Sequence, residues 1–406
     1  MIVILHSPAL VTAAETAKAD LLAAYKDHVD VALISADSGG GWPASPNWDD
    51  LLILLYDGST FPSEGQKFVE SFQAARGAET WILPVAIDPT ARKPPPPRAG
   101  IKALFYDATA AGPAGRLVNR VGAMLGLKIQ TRRTDLFISY RAVDGKQIAE
   151  QLYDHLKSLG LRCFLDEATE LDGYSMILPG SPVQQEIDQR LETASMILLI
   201  DTPKAPESPW IKHEIDTADG LLVPIMPICL RVAGDSRPGT RFRELMPLQR
   251  WKVMELPVPG NAPLNSGQLD EIVQAAEKYM CEIFQRKCRV PFLVQKEFVS
   301  KGFGWATLDQ RLLMFQSSKT GGRLTTKILN HCSIFDEIYV PALKRFYEYM
   351  RSSGHFNHSL FIYEGEMLSK VEMESLATNV PDPVVVLHHQ ELAALIDSNF
   401  TKLGKS

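Results

Sequence analysis

Cysteine is scarce in this 406-residue chain: there are five, at positions 163, 229, 281, 288 and 332, an odd number with no C-x-x-C spacing. That argues against a disulfide framework or a zinc site, and for buried, reduced thiols. A basic excess is missing too. Lys and Arg number 42 against 48 Asp and Glu, a net charge of −6, so neutralising phosphate backbones is not the main task and no direct nucleic-acid binding is expected. No apolar run approaches the roughly 18–20 residues that cross a bilayer. The opening MIVILHSPAL lacks the basic region and small-residue cleavage site of a secretory signal, so it reads as a core strand of a cytoplasmic protein with no membrane partner. Gly and Pro, 27 each, sit at ordinary usage, which excludes collagen-like and low-complexity chains. No G-x-G-x-x-G follows an opening strand, so a Rossmann-bound dinucleotide cofactor is not expected.

What is present is apolar material, 45% of residues, enough for two or three domains. The spacing predicts α/β architecture with two parallel-sheet domains and a smaller mixed α/β domain at the C-terminus: 1–128, 129–288 and 289–406. In the first, strands at Ile2–Leu5, Val29–Ile34, Leu51–Tyr56, Trp81–Ile87 and Ile101–Tyr106 alternate with helices near 12–28, 63–76 and 113–125. Such alternation implies a sheet covered on both faces. Lys93-Pro94-Pro95-Pro96-Pro97-Arg98 reads as a stiff, exposed loop. In the second, Leu136–Tyr140 leads into a helix capped by Asp144 and ended by Gly160, with Ile148, Leu152, Leu156 and Leu159 as its apolar stripe. Leu161–Leu165, a long loop over 166–181, a helix containing Ile187 and Leu191, and the apolar strand Met196–Ile200 follow. Ser208, with Pro209 after it, starts the next helix. Leu222–Cys229 is another strand, and a last helix runs from about Gln268 to Phe284. Ile53–Asp57, Pro62 and Leu83-Pro84-Val85 parallel Ile197–Asp201, Pro206 and Val223-Pro224-Ile225, which suggests internal duplication. Beyond 289, strands are expected at Ser359–Tyr363 and Val384–Leu387, with helices near 366–376 and 389–398 and one from Pro341 carrying Phe346, Tyr347 and Tyr349.

In an open parallel sheet, ligands bind beyond the carboxyl ends of the strands. That rim in the second domain carries Ser139, Tyr140 and Arg141, the 166–181 loop, and the 201–209 segment. Trp210 and Glu214 lie four apart and share one face of the helix that follows, while Ile211, Ile215 and Ala218 point inward. An aromatic plane beside a carboxylate there suits a cationic heteroaromatic ring bearing a sugar. The alternative is a Trp sealing the core edge beside a solvated Glu. Elsewhere the signals are weak. Ser317–Gly322 lacks phosphate-loop spacing and reads as a solvated turn; His388-His389 reads as an exposed helix start, with no metal site expected; Gly39–Gly41 reads as a flexible loop, and Glu366 and Glu372 have no identified partner.

Three boxes in order carry a resemblance: Asp135-Leu136-Phe137-Ile138-Ser139-Tyr140-Arg141, then Leu178-Pro179-Gly180-Ser181, then Ser208-Pro209-Trp210-Ile211-Lys212-His213-Glu214-Ile215. Over about 133–288 they resemble TIR (Toll/interleukin-1 receptor) domains, nearest in look to NAD-cleaving members of bacterial defence proteins and of the animal axon-degeneration NAD hydrolase. The resemblance implies a flavodoxin-like five-strand sheet in which Leu178, Pro179, Gly180 and Ser181 end the BB loop that mediates self-association. It also implies that Glu214 is the catalytic carboxylate and that Trp210, Ser139, Tyr140 and Arg141 bind substrate. NAD⁺ would then be a consumed substrate, with no cofactor, split to nicotinamide and ADP-ribose or a cyclic relative after assembly triggered by a protein or nucleotide, in antiviral (antiphage) defence. The alternative the family leaves open is a non-enzymatic TIR scaffold. The first domain departs from the pattern: a gapless match from Asp57 places Glu70 opposite Glu214 but Gln66 opposite Trp210, whereas matching Phe68 and Phe72 to Ile211 and Ile215 moves Glu70 away. It reads as a degenerate TIR-like domain used for assembly or sensing.

Overall fold

The computed structural model describes residues 1–25, 29–38, 50–59, 61–76, 81–88, 90–91, 94–95, 102–109, 112, 115–130, 135–165, 183–221, 223–231, 234–235, 238–242, 245, 252–258, 263–309, 313–321, 324–333, 346, 348, 352, 356–364 and 384–400. The chain divides into two compact units. One comprises Met1–Ile215, Pro224–Phe242 and Val253–Glu282; the other comprises Asp216–Val223, Arg243–Lys252 and Ile283–Ser406.

The first unit holds two parallel sheets of identical strand order. Strands β1 (Ile2–His6), β2 (Val31–Ser35), β3 (Leu51–Tyr56), β4 (Trp81–Ala86) and β5 (Leu104–Phe105) are arranged β2-β1-β3-β4-β5. They alternate with α1 (Val11–Tyr25), α2 (Ser63–Arg76) and α3 (Arg116–Gln130). The second sheet repeats the scheme with β6 (Asp135–Ser139), β7 (Cys163–Phe164), β8 (Ala194–Asp201), β9 (Ile225–Arg231) and β10 (Met254–Pro257), arranged β10-β9-β8-β6-β7. Both are the flavodoxin-like 2-1-3-4-5 order, and the continuous apolar runs of β3 and β8 are fully buried, as strands covered on both faces require. Helices α4 (Lys146–Ser158), α5 (Val183–Thr193) and α6 (Pro209–Leu221) belong to this second sheet, and α7 (Ser266–Ser300) follows it.

Local chemistry sets the helix ends. Gly160, at φ +73°, terminates α4: its N–H donates to the Lys157 carbonyl over 2.9 Å and that of Leu161 to Leu156 over 3.1 Å, pairing the last orphan carbonyls. At the other end Gly145, not Asp144, is the cap residue, and it gives no side-chain bond. A Cβ at Gly145 would stand 3.0 Å from the Arg141 carbonyl and 3.3 Å from Tyr140 Cβ, so the tight turn after β6 requires glycine. The proposed duplication holds for topology but not for the two prolines: Pro84 pairs with Leu54 inside β4, whereas Pro224 precedes β9 and its carbonyl accepts from the Ile197 N–H.

The two sheets share a helical seam. Tyr25 Oη on α1 donates to the Val118 carbonyl on α3 and lies 3.5 Å from Cys281 Sγ on α7. One turn away, Arg120 and Glu277 form a buried ion pair between α3 and α7. Cys163, Cys229, Cys281 and Cys332 are buried free thiols.

The second unit contains a mixed sheet, β11-β12-β13-β14-β15, formed by β11 (Gly304–Asp309), β12 (Met314–Gly321), β13 (Leu324–Cys332), β14 (His358–Tyr363) and β15 (Val384–His388), with α8 (Leu392–Asp397) after it. The β11–β12 and β12–β13 pairs are antiparallel, the other two parallel. Three expectations change here. Ser317–Gly321 is strand, not turn; Thr320 and Thr325 pair across it with hydroxyls 3.1 Å apart, as β-branched residues favour. Helix α7 continues past Phe284 and through Pro291 to Ser300, because Val290, Val294 and Phe298 bury one face at four-residue spacing. His388 and His389 are half-buried, and His388 Nδ1 caps a single 3₁₀ turn by accepting from the Gln390 N–H over 3.4 Å. Of the expected helix near 341–349 only Phe346, which is buried, and Glu348 are described, both helical; the helix near 366–376, the Gly39–Gly41 loop, Glu366 and Glu372, and most of Lys93–Arg98 lie outside the described residues. Among the described residues no helix is long and apolar enough to cross a membrane.

Candidate functional site

The strand order of the second sheet reverses between β6 and β8, and the carboxyl ends of those strands define the rim where such sheets take ligands. Ser139 is the last residue of β6 and pairs with Leu199 of β8. Beyond β8 the chain makes one 3₁₀ turn (Ala205–Glu207) and enters α6. Ser208 Oγ accepts from the Ile211 N–H over 3.4 Å and Pro209 occupies the first helical position, so the expected start signal operates. Burial of Ile211 and Ile215 turns the helix so that Glu214 faces the end of β6, where Ser139 Oγ donates to Glu214 Oε2 over 2.5 Å.

Burial inverts the usual places of the two residues. Glu214 is only 8% exposed, while Trp210 is 60% exposed. A large ring left in water beside a carboxylate taken out of it is the opposite of an indole sealing the core next to a solvated acid, because burying a charge is costly unless a hydrogen bond compensates.

Two rim loops, after β6 and after β8, are laced together. Arg141 Nη1 donates to the Lys204 carbonyl over 2.9 Å and lies 3.0 Å from Glu207 Oε2. The Lys204 N–H in turn donates to Asp144 Oδ2 over 3.3 Å. Tyr140 is half-buried between them in sequence. Of the residues expected at the site, Ser139 and Glu214 are thus in direct contact, Arg141 is engaged by the 204–207 segment, and Trp210 stands in solvent. Leu178, Pro179, Gly180 and Ser181 lie outside the described residues.

Sequence reading missed the support behind the rim. Asp201, at the end of β8, is completely buried and holds Thr240, Arg241 and Cys229 through its carboxylate. Burial and the neighbouring Asp201 push the Cys229 thiol far up, so it stays protonated and serves as a donor. An acid closing an apolar strand was the only sequence signal; nothing around Arg241 marked it as its partner.

Strand register aligns the first sheet with the second. Leu55, two residues before Asp57, pairs with His6, as Leu199, two before Asp201, pairs with Ser139. Helices α2 and α6 bury the same positions counted from their first residues: Gly65, Phe68, Val69 and Phe72 match Ile211, Glu214, Ile215 and Ala218. Neither gapless match from Asp57 nor the Phe68–Ile211 match survives. Phe68 stands at the place of Glu214, Glu64 at that of Trp210, and His6 at that of Ser139.

Comparison with known proteins agrees with the second sheet's order. Residues 136–253 match the family model described as TIR domain. No curated protein matches the chain. Among solved structures, a Silicibacter pomeroyi DSS-3 protein provisionally named a phosphosugar isomerase is similar over 70% of this chain and 85% of its own, at 13% identity and a TM-score of 0.18, a likeness too small to carry an argument. The family match falls on the sheet that bears Ser139, Trp210 and Glu214, so the chain carries a TIR domain over residues 136–253.

Proposed function

We propose that the TIR domain cleaves the nicotinamide–ribosyl bond of NAD⁺ when copies of the chain assemble, releasing nicotinamide and leaving ADP-ribose where water takes the ribosyl carbon or its cyclic form where the adenine does. The observation that supports this most is the buried Glu214 carboxylate held at 2.5 Å by Ser139 at the carboxyl end of β6, one helical turn from an exposed indole. Nicotinamide in NAD⁺ is already a cationic leaving group, so scission needs no strong acid; the demand is for negative charge near the ribose as its oxocarbenium character develops. Glu214 meets that demand, and Ser139 fixes which carboxylate oxygen faces inward. Trp210 offers a ring face to the pyridinium or ribose, worth ~1–2 kcal/mol, and Arg141, once released from Glu207, serves the pyrophosphate.

In this reading Leu178–Ser181 of a neighbouring copy completes the nucleotide site, which makes turnover depend on association, and the role is depletion of NAD⁺ in the cytoplasm during phage infection. The first α/β domain, with Phe68 and His6 at the corresponding places, serves assembly or sensing instead, and 289–406 receives the protein or nucleotide trigger. The test is incubation of the full chain with NAD⁺ at rising protein concentration, with association followed by light scattering and nicotinamide by chromatography. Release that rises with association and disappears in Glu214→Gln supports the reading. Association with no loss of NAD⁺ sinks it and leaves the scaffold role.

A further inference from the structure

The buried aspartate that ends β8 stands at the centre of a cluster of hydrogen bonds. Thr240 Oγ1 and the Arg241 N–H each donate to Asp201 Oδ2 over 2.8 Å, Arg241 Nη1 reaches Oδ1 at 3.2 Å, and Cys229 Sγ adds a bond of 3.2 Å. The guanidinium does more than pair. Nη1 also donates to the Asp201 carbonyl over 2.7 Å, and Nη2 to the Leu230 carbonyl over 2.8 Å and to Asp235. Alongside, Glu255 Oε1 accepts from the Gly239 N–H over 2.7 Å and from Arg231 Nη2 over 3.1 Å. Asp235 and residues 238–242 are therefore stitched to the ends of β8, β9 and β10.

The fold itself does not require this. In the first sheet Asp57, at the same place after β3, accepts from the N–H and hydroxyl of Ser59, closing its own turn at the surface. Burying a carboxylate and a guanidinium costs desolvation that the first domain avoids. What the second domain has in addition is a loaded segment directly downstream: from the Asp201 carbonyl, residues 202–208 lead without a break to the Ser208 cap, Trp210 and Glu214. Arg241 grips both the side chain and the carbonyl of Asp201, the point from which that segment leaves the sheet.

We propose that the Asp201–Arg241 clasp orients residues 202–208 and thereby the Ser139–Glu214 pair, making Asp201 and Arg241 positioning residues for NAD⁺ cleavage; this rests on the reading of Glu214 given above. Misplacement of a reacting group by about 1 Å costs up to ~10²-fold in rate without weakening ground-state binding.

The experiment compares full-length wild type with Arg241→Lys and Glu255→Gln, measuring kcat and KM for NAD⁺ and hydrogen exchange over 202–208. Arg241→Lys keeps the charge but loses the planar fork. We expect its kcat to fall ~10–100-fold at a KM within about twofold, with exchange over 202–208 at least about tenfold faster. Glu255→Gln, which loosens the same loop away from Asp201, keeps kcat within about twofold. If Arg241→Lys does not fold, Thr240→Val, which removes one bond to Asp201 Oδ2, carries the test. Unchanged kcat in an active enzyme, or unchanged exchange over 202–208, overturns the clasp. Should wild type itself release no nicotinamide, the reading of Glu214 fails separately, and exchange over 202–208 alone decides whether Asp201 and Arg241 hold that segment.

Discussion

Phe68 in the first sheet's α2 occupies the helix position that Glu214 occupies in α6, counted from the first residue of each helix and matched by the same run of buried neighbours. The same frame holds an apolar ring in one copy and a carboxylate in the other. Burying the carboxylate costs desolvation that the Ser139 hydrogen bond offsets, whereas Phe68 at the matching place needs no such partner. The catalytic role proposed for Glu214 would account for a carboxylate at this place.

Replacing Glu214 by Gln should lower nicotinamide release by at least ~10²–10³-fold, the loss typical of one preorganised electrostatic contact. Ser139→Ala, which removes the 2.5 Å donor while leaving the charge, should cost less, about tenfold. Single-turnover assays with both variants order the two effects. Equal losses would make Ser139 the primary group.

Arg141 is held by the Lys204 carbonyl and, at 3.0 Å, by Glu207, whose side chain is largely exposed. Exposed ion pairs contribute up to about 1 kcal/mol. Glu207→Gln should therefore free Arg141 and lower the KM for NAD⁺ by up to about fivefold, the conversion of that energy, with the gain shrinking as salt rises. A KM that rises instead would assign Glu207 to substrate binding.

The α1/α3/α7 seam leaves no room at Gly122. A Cβ there would stand 2.5 Å from both Cys281 Sγ and Tyr25 Oη and 2.9 Å from Cys281 Cβ. Since the last is a near-backbone atom that cannot rotate away, Gly122→Ala should destabilise the first unit by ~1–3 kcal/mol. Calorimetric melting reads this as a lower Tm, and an unshifted Tm would mean that the helices separate freely.

Arg120 and Glu277, buried together in the same seam, each pay desolvation that pulls Arg120 down and pushes Glu277 up from their ordinary ranges. Removing one partner strands the other: Arg120→Met alone should cost ~3–5 kcal/mol, while Arg120→Met with Glu277→Leu should restore stability to near wild type. Denaturant midpoints for the two variants give the comparison; a double variant as unstable as the single would show a role beyond pairing.

His358 stacks on Phe400 at 4.6 Å between ring centres, and burial holds its imidazole below the ordinary range. A depressed folded pKa means the unfolded chain binds more protons. Stability of the second unit is therefore intact above the unfolded-state value near ~6.5 and falls progressively as pH drops below it. Melting between pH 7.5 and 5.5 should show this slope for wild type and a shallower one for His358→Phe.

Much of the α/β rhythm was legible because it rests on local rules. Apolar runs of strand length, the Ser208-Pro209 start and the Gly160 stop act within a few residues, and the structure places elements close to where they point. The third sheet was less legible: β11, β12 and β13 carry alternating or polar faces with no strong period, and α7 overrides the signal of Pro291 through a buried face that only packing creates.

At the site, the order Ser-Tyr-Arg, then Trp-x-x-x-Glu, was determined by sequence alone, since helical periodicity puts positions four apart on one side. Tertiary structure decided which of that pair is buried, which rim residue meets the acid, and that Phe68 and His6 fill the matching places in the first sheet. The reason is range: caps and periods are settled by neighbours in the chain, whereas Ser139 meeting Glu214 and Asp201 meeting Arg241 are pairings across strands, set by register and by the cost of burying charge unpaired.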